Sequence, residues 1–206
     1  MLLLAHTGIT LCVFNISQRI FSTISSYRKK DKRLTFLVKS SDLSPVNPDP
    51  PVNSKKWHID YRFVLLGSMF PDIIDKPLGM LIFANLIANG RVYTHTLFVN
   101  LILILIGIYL LKKKRFNFFI FSVSSCSHLI LDEMWLDLQT LLWPLYGWGF
   151  PKEDISHWWE NIFQGLFTNP WVYVPEIIGA MILARLGLML IKKRMVGEFL
   201  FRGTLP

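Results

Sequence analysis

Charge is scarce in this sequence. Of its 206 residues only 17% are Asp, Glu, Lys or Arg, against about 25% in an ordinary soluble domain. Cysteine is scarcer still: Cys12 and Cys126, both inside apolar runs and with no CxxC spacing. That excludes a disulfide framework and leaves both thiols as small apolar packing groups. There is no GxxxxGK[ST] phosphate loop and no GxSxG serine motif, so nucleotide cradling by a P-loop and serine-based hydrolysis lack their signatures. No internal repeat period stands out.

What is abundant is apolar. Hydrophobic residues make up 52% and the mean hydropathy is +0.40, a balance that points to a membrane protein. The net charge is +8, from 22 basic and 14 acidic residues. The surplus falls mainly in three blocks, Arg28-Lys29-Lys30-Asp31-Lys32-Arg33, Lys112-Lys113-Lys114-Arg115 and Lys192-Lys193-Arg194. Each follows an apolar run, as positive-inside anchors do. Nucleic acid is therefore not an expected partner; membrane lipids are.

The apolar runs set the organisation. Leu2 to Ile24 reads as a retained helix, since the basic block follows it rather than precedes it. Residues 28 to 57 read as a cytoplasmic loop, with 34–57 a mobile linker rich in Pro, Ser and Asn between Ser40 and Ser54. Tyr61 to Phe70 is about half a bilayer long; it reads as a short helix broken at Pro71, with a second helix from Leu78 to Ile87. Val92 to Leu111 and Phe116 to Trp135 read as antiparallel spanning neighbours joined by a short basic connection. Trp135 to Trp171 is crowded with Trp and Tyr, which favour the water–lipid interface, and His157 to Phe167 suits an amphipathic interfacial helix. Val172 to Ile191 spans again. The expected fold is all-α: a multi-pass transmembrane bundle of about four spanning helices, one short broken helix and one interfacial helix, forming a single domain over 1–206.

His128 and Asp132 lie four apart, on one helical face. Alone, the pair fits a metal site and a membrane-edge marker equally well. Orientation separates the two. With all three basic blocks on the cytoplasmic side, His6 falls near the outer end of the first helix. His95, His128 and Asp132 rise about 25, 18 and 24 Å above the Lys112 connection, and Asp72 about 15 Å above Arg62. Every histidine inside an apolar run chooses the outer half of the bilayer, with acids at the same level. Ionisable groups at that depth are costly, and their convergence favours a metal centre toward the extracytoplasmic side.

The expected ligands are His6, Asp72, His95, His128 and Asp132, with Asp75 as a further candidate. Imidazole and carboxylate without thiolate suit zinc, with manganese and iron as alternatives; one or two ions fit the number of donors. Such a centre activates water for hydrolysis of an ester, here a phosphoester or another lipid-like ester reached from the membrane. Asp75, Glu133 and Asp137 are candidates for the proton acceptor. A divalent-metal transporter or a non-catalytic metal-binding protein is the alternative reading.

Ala5-His6-Thr7-Gly8, Gly67-Ser68-Met69-Phe70-Pro71-Asp72, Tyr93-Thr94-His95-Thr96 and Ser127-His128 with Asp132 occur in this order. The order resembles that of the LexA-binding, inner-membrane-associated hydrolases (YdjM-like), and the Trp135 to Gly149 stretch resembles one subgroup of them. The resemblance covers nearly all of the chain outside 34–57. It implies a membrane-bound, metal-dependent hydrolase, remotely similar to zinc-dependent phospholipase C and P1-type nucleases, with His6, Asp72, His95, His128 and Asp132 as the metal ligands. The chain departs from that pattern where the second acid, Asp75, is displaced by one residue and Lys76 stands in place of a histidine. It also lacks the first histidine of the HRGxTHS segment. Nothing in these residues points to LexA as a partner.

Overall fold

The computed structural model describes residues 3–39, 59–154 and 157–206; in the first stretch side chains are described to residue 25 and at Tyr27. The chain divides into two compact units, Met1–Cys12 with Ile59–Pro206, and Val13–His58. Among the described residues there are helices and turns but no strand.

In the larger unit, the first residues of helix α1 (Leu3–Lys39) are followed, after Asp60, by α2 (Tyr61–Pro77) and a π-helical turn at Leu78–Ile82. Next come α3 (Leu97–Lys112), α4 (Phe116–Leu131) and a 3₁₀ turn at Met134–Leu136. The remaining elements are α5 (Leu138–Leu141), α6 (Trp158–Thr168), α7 (Pro170–Lys192) and α8 (Val196–Arg202). Local chemistry sets several of these boundaries. Thr96 caps α3 by accepting the Val99 N–H, and Asp60 and Asn169 do the same for α2 and α7, the latter with Pro170 at the first helical position.

Helices α2, α3 and α4 form the core of this unit. Gly67 lies against the Phe121 backbone and the Ser124 side chain, and Gly107 against Phe119. A side chain at either glycine would collide, so small residues let α2 and α3 approach α4 closely, as in membrane bundles. Ser122, Ser124 and Ser125 are fully buried on α4. Ser122 donates to the Phe118 carbonyl on its own helix and to the Leu103 carbonyl on α3. Ser125 donates to Asn100, whose amide in turn holds the Thr94 and Thr96 carbonyls.

Five expectations change. The first helix does not end at Ile24; α1 runs through the first basic block to Lys39, because that block contains no helix breaker. Residues 34–39 of the linker expected at 34–57 are helical, and its part from residue 40, with His58, lies outside the described residues. Pro71 does not break α2, which continues to Pro77; packing on α4 offsets the lost N–H, as membrane helices allow. The second helix expected from Leu78 to Ile87 is instead the π-helical turn and irregular chain. Residues 92–96, expected to begin a helix, are irregular before α3 starts.

By length and composition α7 is the one helix, among the described residues, able to cross a membrane, and only 17% of its apolar window is buried by protein. Helices α3 and α4 are apolar but have 16 residues each, or about 24 Å, short of the roughly 30 Å hydrocarbon layer. Where an interfacial helix is expected, α6 is helical and leaves Trp159, Phe163 and Phe167 exposed. In the smaller unit, the part of α1 from Val13 onward leaves Ile16, Ile20, Phe21 and Ile24 exposed.

Candidate metal centre

Four elements of the larger unit bring five side chains to one place. His6 comes from α1, Asp72 from α2, His95 from the irregular segment before α3, and His128 from α4, with Asp132 capping the C-terminal end of α4. His6, His95 and His128 are essentially inaccessible. Nε2 of His95 lies 3.3 Å from Nε2 of His128. Asp72 Oδ1 is 3.6 Å from His95 Nε2 and 3.8 Å from His128 Nε2. Asp132 Oδ1 is 3.7 Å from His6 Nε2, and the His6 and His128 rings stack at 4.0 Å.

The ring orientations are imposed from behind. His128 Nδ1 donates to the Ser68 carbonyl at 2.7 Å, and His95 Nδ1 donates to Asp75 Oδ2 at 2.8 Å. A carbonyl and a carboxylate can only accept, so each Nδ1 carries the proton and each Nε2 keeps its lone pair toward the other. Asp75 is itself held firmly: fully buried, it accepts the backbone N–H groups of Val92, Thr94 and His95. The irregular segment 92–96 is folded around this carboxylate.

Two lone pairs facing at 3.3 Å repel unless a cation lies between them. A shared proton would serve His95 and His128 but not the rest of the cluster. Both ring nitrogens of His6 are buried with no hydrogen-bond partner, and the imidazole–carboxylate separations of 3.6–3.8 Å are too long for hydrogen bonds. They are near the distance between two ligands of one tetrahedral ion, about 3.3–3.4 Å for bonds of about 2.0–2.1 Å. The donor set therefore fits a divalent cation held by nitrogen and oxygen. Two triads have the required spacing, His6–Asp72–His128 and His95–His128–Asp132. They share His128, whose single free lone pair serves one ion at a time.

All five expected ligands are thus brought together. Asp75, expected as a proton acceptor, is instead the anchor of His95: its oxygens are occupied by N–H donors and it has no exposed surface. Glu133 is exposed, with a left-handed backbone at φ 55° that turns the chain out of α4, and belongs to neither triad. Asp137 caps α5 by accepting the Thr140 N–H. His157 bonds Glu160 on an exposed surface, apart from the cluster.

Other residues emerge only from the structure. Asp132 Oδ2 meets Arg91 Nε at 2.5 Å, and Asp72 Oδ2 meets Lys76 Nζ at 2.7 Å. The Lys76 pairing was signalled by its i, i+4 spacing from Asp72; Arg91 follows an Asn-Gly turn that gave no such signal. Glu176 of α7 accepts the Leu4 and Ala5 N–H groups at the start of α1. With Gly8 and Gly179 in backbone contact, it fixes the segment that carries His6.

The sequence model of a family described as YdjM inner membrane protein matches residues 42–199. No curated protein and no solved structure matches the chain.

Proposed function

The chain belongs to the YdjM inner membrane protein family, and from that premise we propose that it is a membrane-embedded, metal-dependent hydrolase acting on a phosphoester or another lipid-like ester. The observation that carries this reading is the facing pair of Nε2 atoms on His95 and His128, at 3.3 Å with both Nδ1 atoms engaged elsewhere. His6, Asp72, His95, His128 and Asp132 would hold one or two ions, with zinc favoured by imidazole and carboxylate donors without thiolate. A divalent ion held there would supply Lewis acidity and make a water nucleophilic near neutral pH. The chain's own contribution is orientation: Ser68 and Asp75 aim the two imidazoles, and buried apolar packing excludes bulk water. Hydrolysis would transfer the hydroxyl of water to the acyl or phosphoryl group and its proton to the departing oxygen.

In this reading α3 and α4 cross the cytoplasmic membrane beside α7, with the Lys112 and Lys192 blocks inside and the centre toward the extracytoplasmic face. Helices of about 24 Å span a locally thinned bilayer, and the exposed Trp135, Trp148, Trp159 and Trp171 suit its interface.

The test is elemental analysis of protein purified without chelators, joined to an ester and phosphoester panel. Stoichiometric zinc and turnover, both lost in His128→Ala, are expected. Metal-dependent flux in proteoliposomes without turnover of any ester would replace the hydrolase with a transporter. Cysteines placed at Trp159 and at Arg194 should label from opposite faces of the membrane; labelling from the same face would overturn the orientation.

A further inference from the structure

The two ligand carboxylates are each divided between two roles. Oδ1 of Asp72 and of Asp132 faces the imidazoles, while Oδ2 of each holds a cation, Lys76 and Arg91 respectively; Oδ2 of Asp132 also lies 4.0 Å from Nε2 of His95. The imidazoles have 0–1% exposure, but the side chains of Lys76 and Arg91 are 34% and 38% exposed. The two cations thus lie between the buried imidazoles and the surface. They stand on one rim: Gly90, next to Arg91, lies against the stem of Lys76.

Neither cation is used up. Arg91 reaches Asp132 through Nε, and its terminal Nη groups have no partner among the described residues. Lys76 Nζ likewise keeps donors beyond its bond to Asp72. The carboxylates also hold both heads in place, which lowers the entropic cost of gripping a ligand.

Charge decides the sign of that ligand. With neutral imidazoles, Lys76 and Arg91 offset two of the three carboxylates Asp72, Asp75 and Asp132, the last of which has a further cationic neighbour. One divalent ion turns the site positive. A neutral carboxylic ester offers a single carbonyl oxygen and no charge, and has no use for two further cations. A terminal phosphate offers several anionic oxygens in different directions, matched by a guanidinium fork, an ammonium and a metal.

We propose that Arg91 and Lys76 clamp a terminal phosphate carried on an apolar chain, so that the substrate class is a phosphomonoester or diphosphate end of a membrane amphiphile. This rests on the metal-hydrolase reading and specifies its substrate.

The experiment measures binding of hexyl phosphate, dihexyl phosphate and inorganic phosphate to the full-length, zinc-loaded protein in detergent by calorimetry. Zinc content is measured in parallel. Wild type should bind hexyl phosphate tightest. Arg91→Gln and Lys76→Met should each weaken it about ten-fold or more, the loss of a charge-assisted contact, with zinc retained. Arg91→Lys should fall between, since it keeps the charge and loses the fork; it also decides the matter if Arg91→Gln loses zinc. Equal hexyl phosphate affinity in wild type and these variants overturns the clamp, as does no binding by wild type. Tighter binding of dihexyl phosphate overturns the terminal-phosphate class, and equal binding of inorganic phosphate overturns the apolar chain. Absence of zinc from wild type is read separately and refutes the metal-hydrolase reading instead.

Discussion

Asp75→Asn is the sharpest probe of how the centre is built. Asp75 receives four N–H groups, from Val92, Thr94 and His95 in the backbone and from the His95 ring, at 2.8–3.1 Å. Alanine would leave all four buried and unsatisfied, at about 1–3 kcal/mol each, enough to unfold the segment. Asparagine is nearly isosteric. Its oxygen will occupy the Oδ2 position, where Val92, Thr94, His95 and the ring all donate, and its amide will replace Oδ1, which Thr94 also approaches. Each retained bond loses its charge assistance, about 1 kcal/mol apiece, while burial of a charge is relieved. We expect a net stability loss of about 2–3 kcal/mol with the fold intact. The imidazole keeps its tautomer but becomes a weaker donor at Nε2, and removing such a partner costs about 10–100-fold in metal affinity, or about 1.4–2.7 kcal/mol. Zinc affinity measured by chelator competition on detergent-solubilised protein provides the test. A folded variant whose affinity changes less than about three-fold would refute the view that Asp75 acts through His95.

His6→Leu should separate a ligand from a structural histidine. Because both His6 nitrogens are buried and unpartnered, the metal-free variant should be as stable as wild type or more so in denaturant titration, while zinc affinity falls. A loss of metal-free stability would contradict the assignment. Gly179→Ala places a methyl in the Leu4 and Ala5 backbone. It should displace the start of α1 and lower zinc affinity more than stability, as should Glu176→Gln through the weakened cap. Unchanged affinity in both would show that α7 does not position His6.

The meeting of these side chains was legible because depth along apolar runs is an arithmetic of 1.5 Å per residue, and His6, His95, His128 and Asp132 each sit on a run with a basic block marking one end. What a residue does beyond being at that level was not legible. Asp75 and Asp72 are three apart on one helix, and only the fold of residues 92–96 around Asp75 makes one the anchor of His95 and leaves the other facing the imidazoles. Arg91 gave no signal, since its partner Asp132 lies 41 positions away in sequence. The path of α2 through Pro71 was misread because propensity judged the proline alone, whereas Gly67 and Ser124 allow a close contact that outweighs it. The aromatic segment was read as wholly interfacial. The structure divides it: Trp148 and Trp171 are exposed, but Trp143 stacks on Phe150 at 5.6 Å and meets Tyr93 at 5.5 Å, packing over the segment that carries His95.

Helix α2 carries Ser68, Asp72, Asp75 and Lys76 on one face, at i, i+4, i+7 and i+8. Through them it orients His128, sets an Asp72 oxygen beside the imidazoles, orients His95 and holds a cation on Asp72. One rigid rod is therefore the ruler against which the other elements are measured. A residue inserted between Ser68 and Lys76 would turn part of that face by about 100° and separate these functions in one step, while an insertion before Tyr61 would leave their mutual register unchanged. Length variation in this protein should thus be tolerated on the N-terminal side of α2 and forbidden within it, so that the register of a single helix, more than the identity of any one ligand, decides whether a descendant of this chain keeps its chemistry.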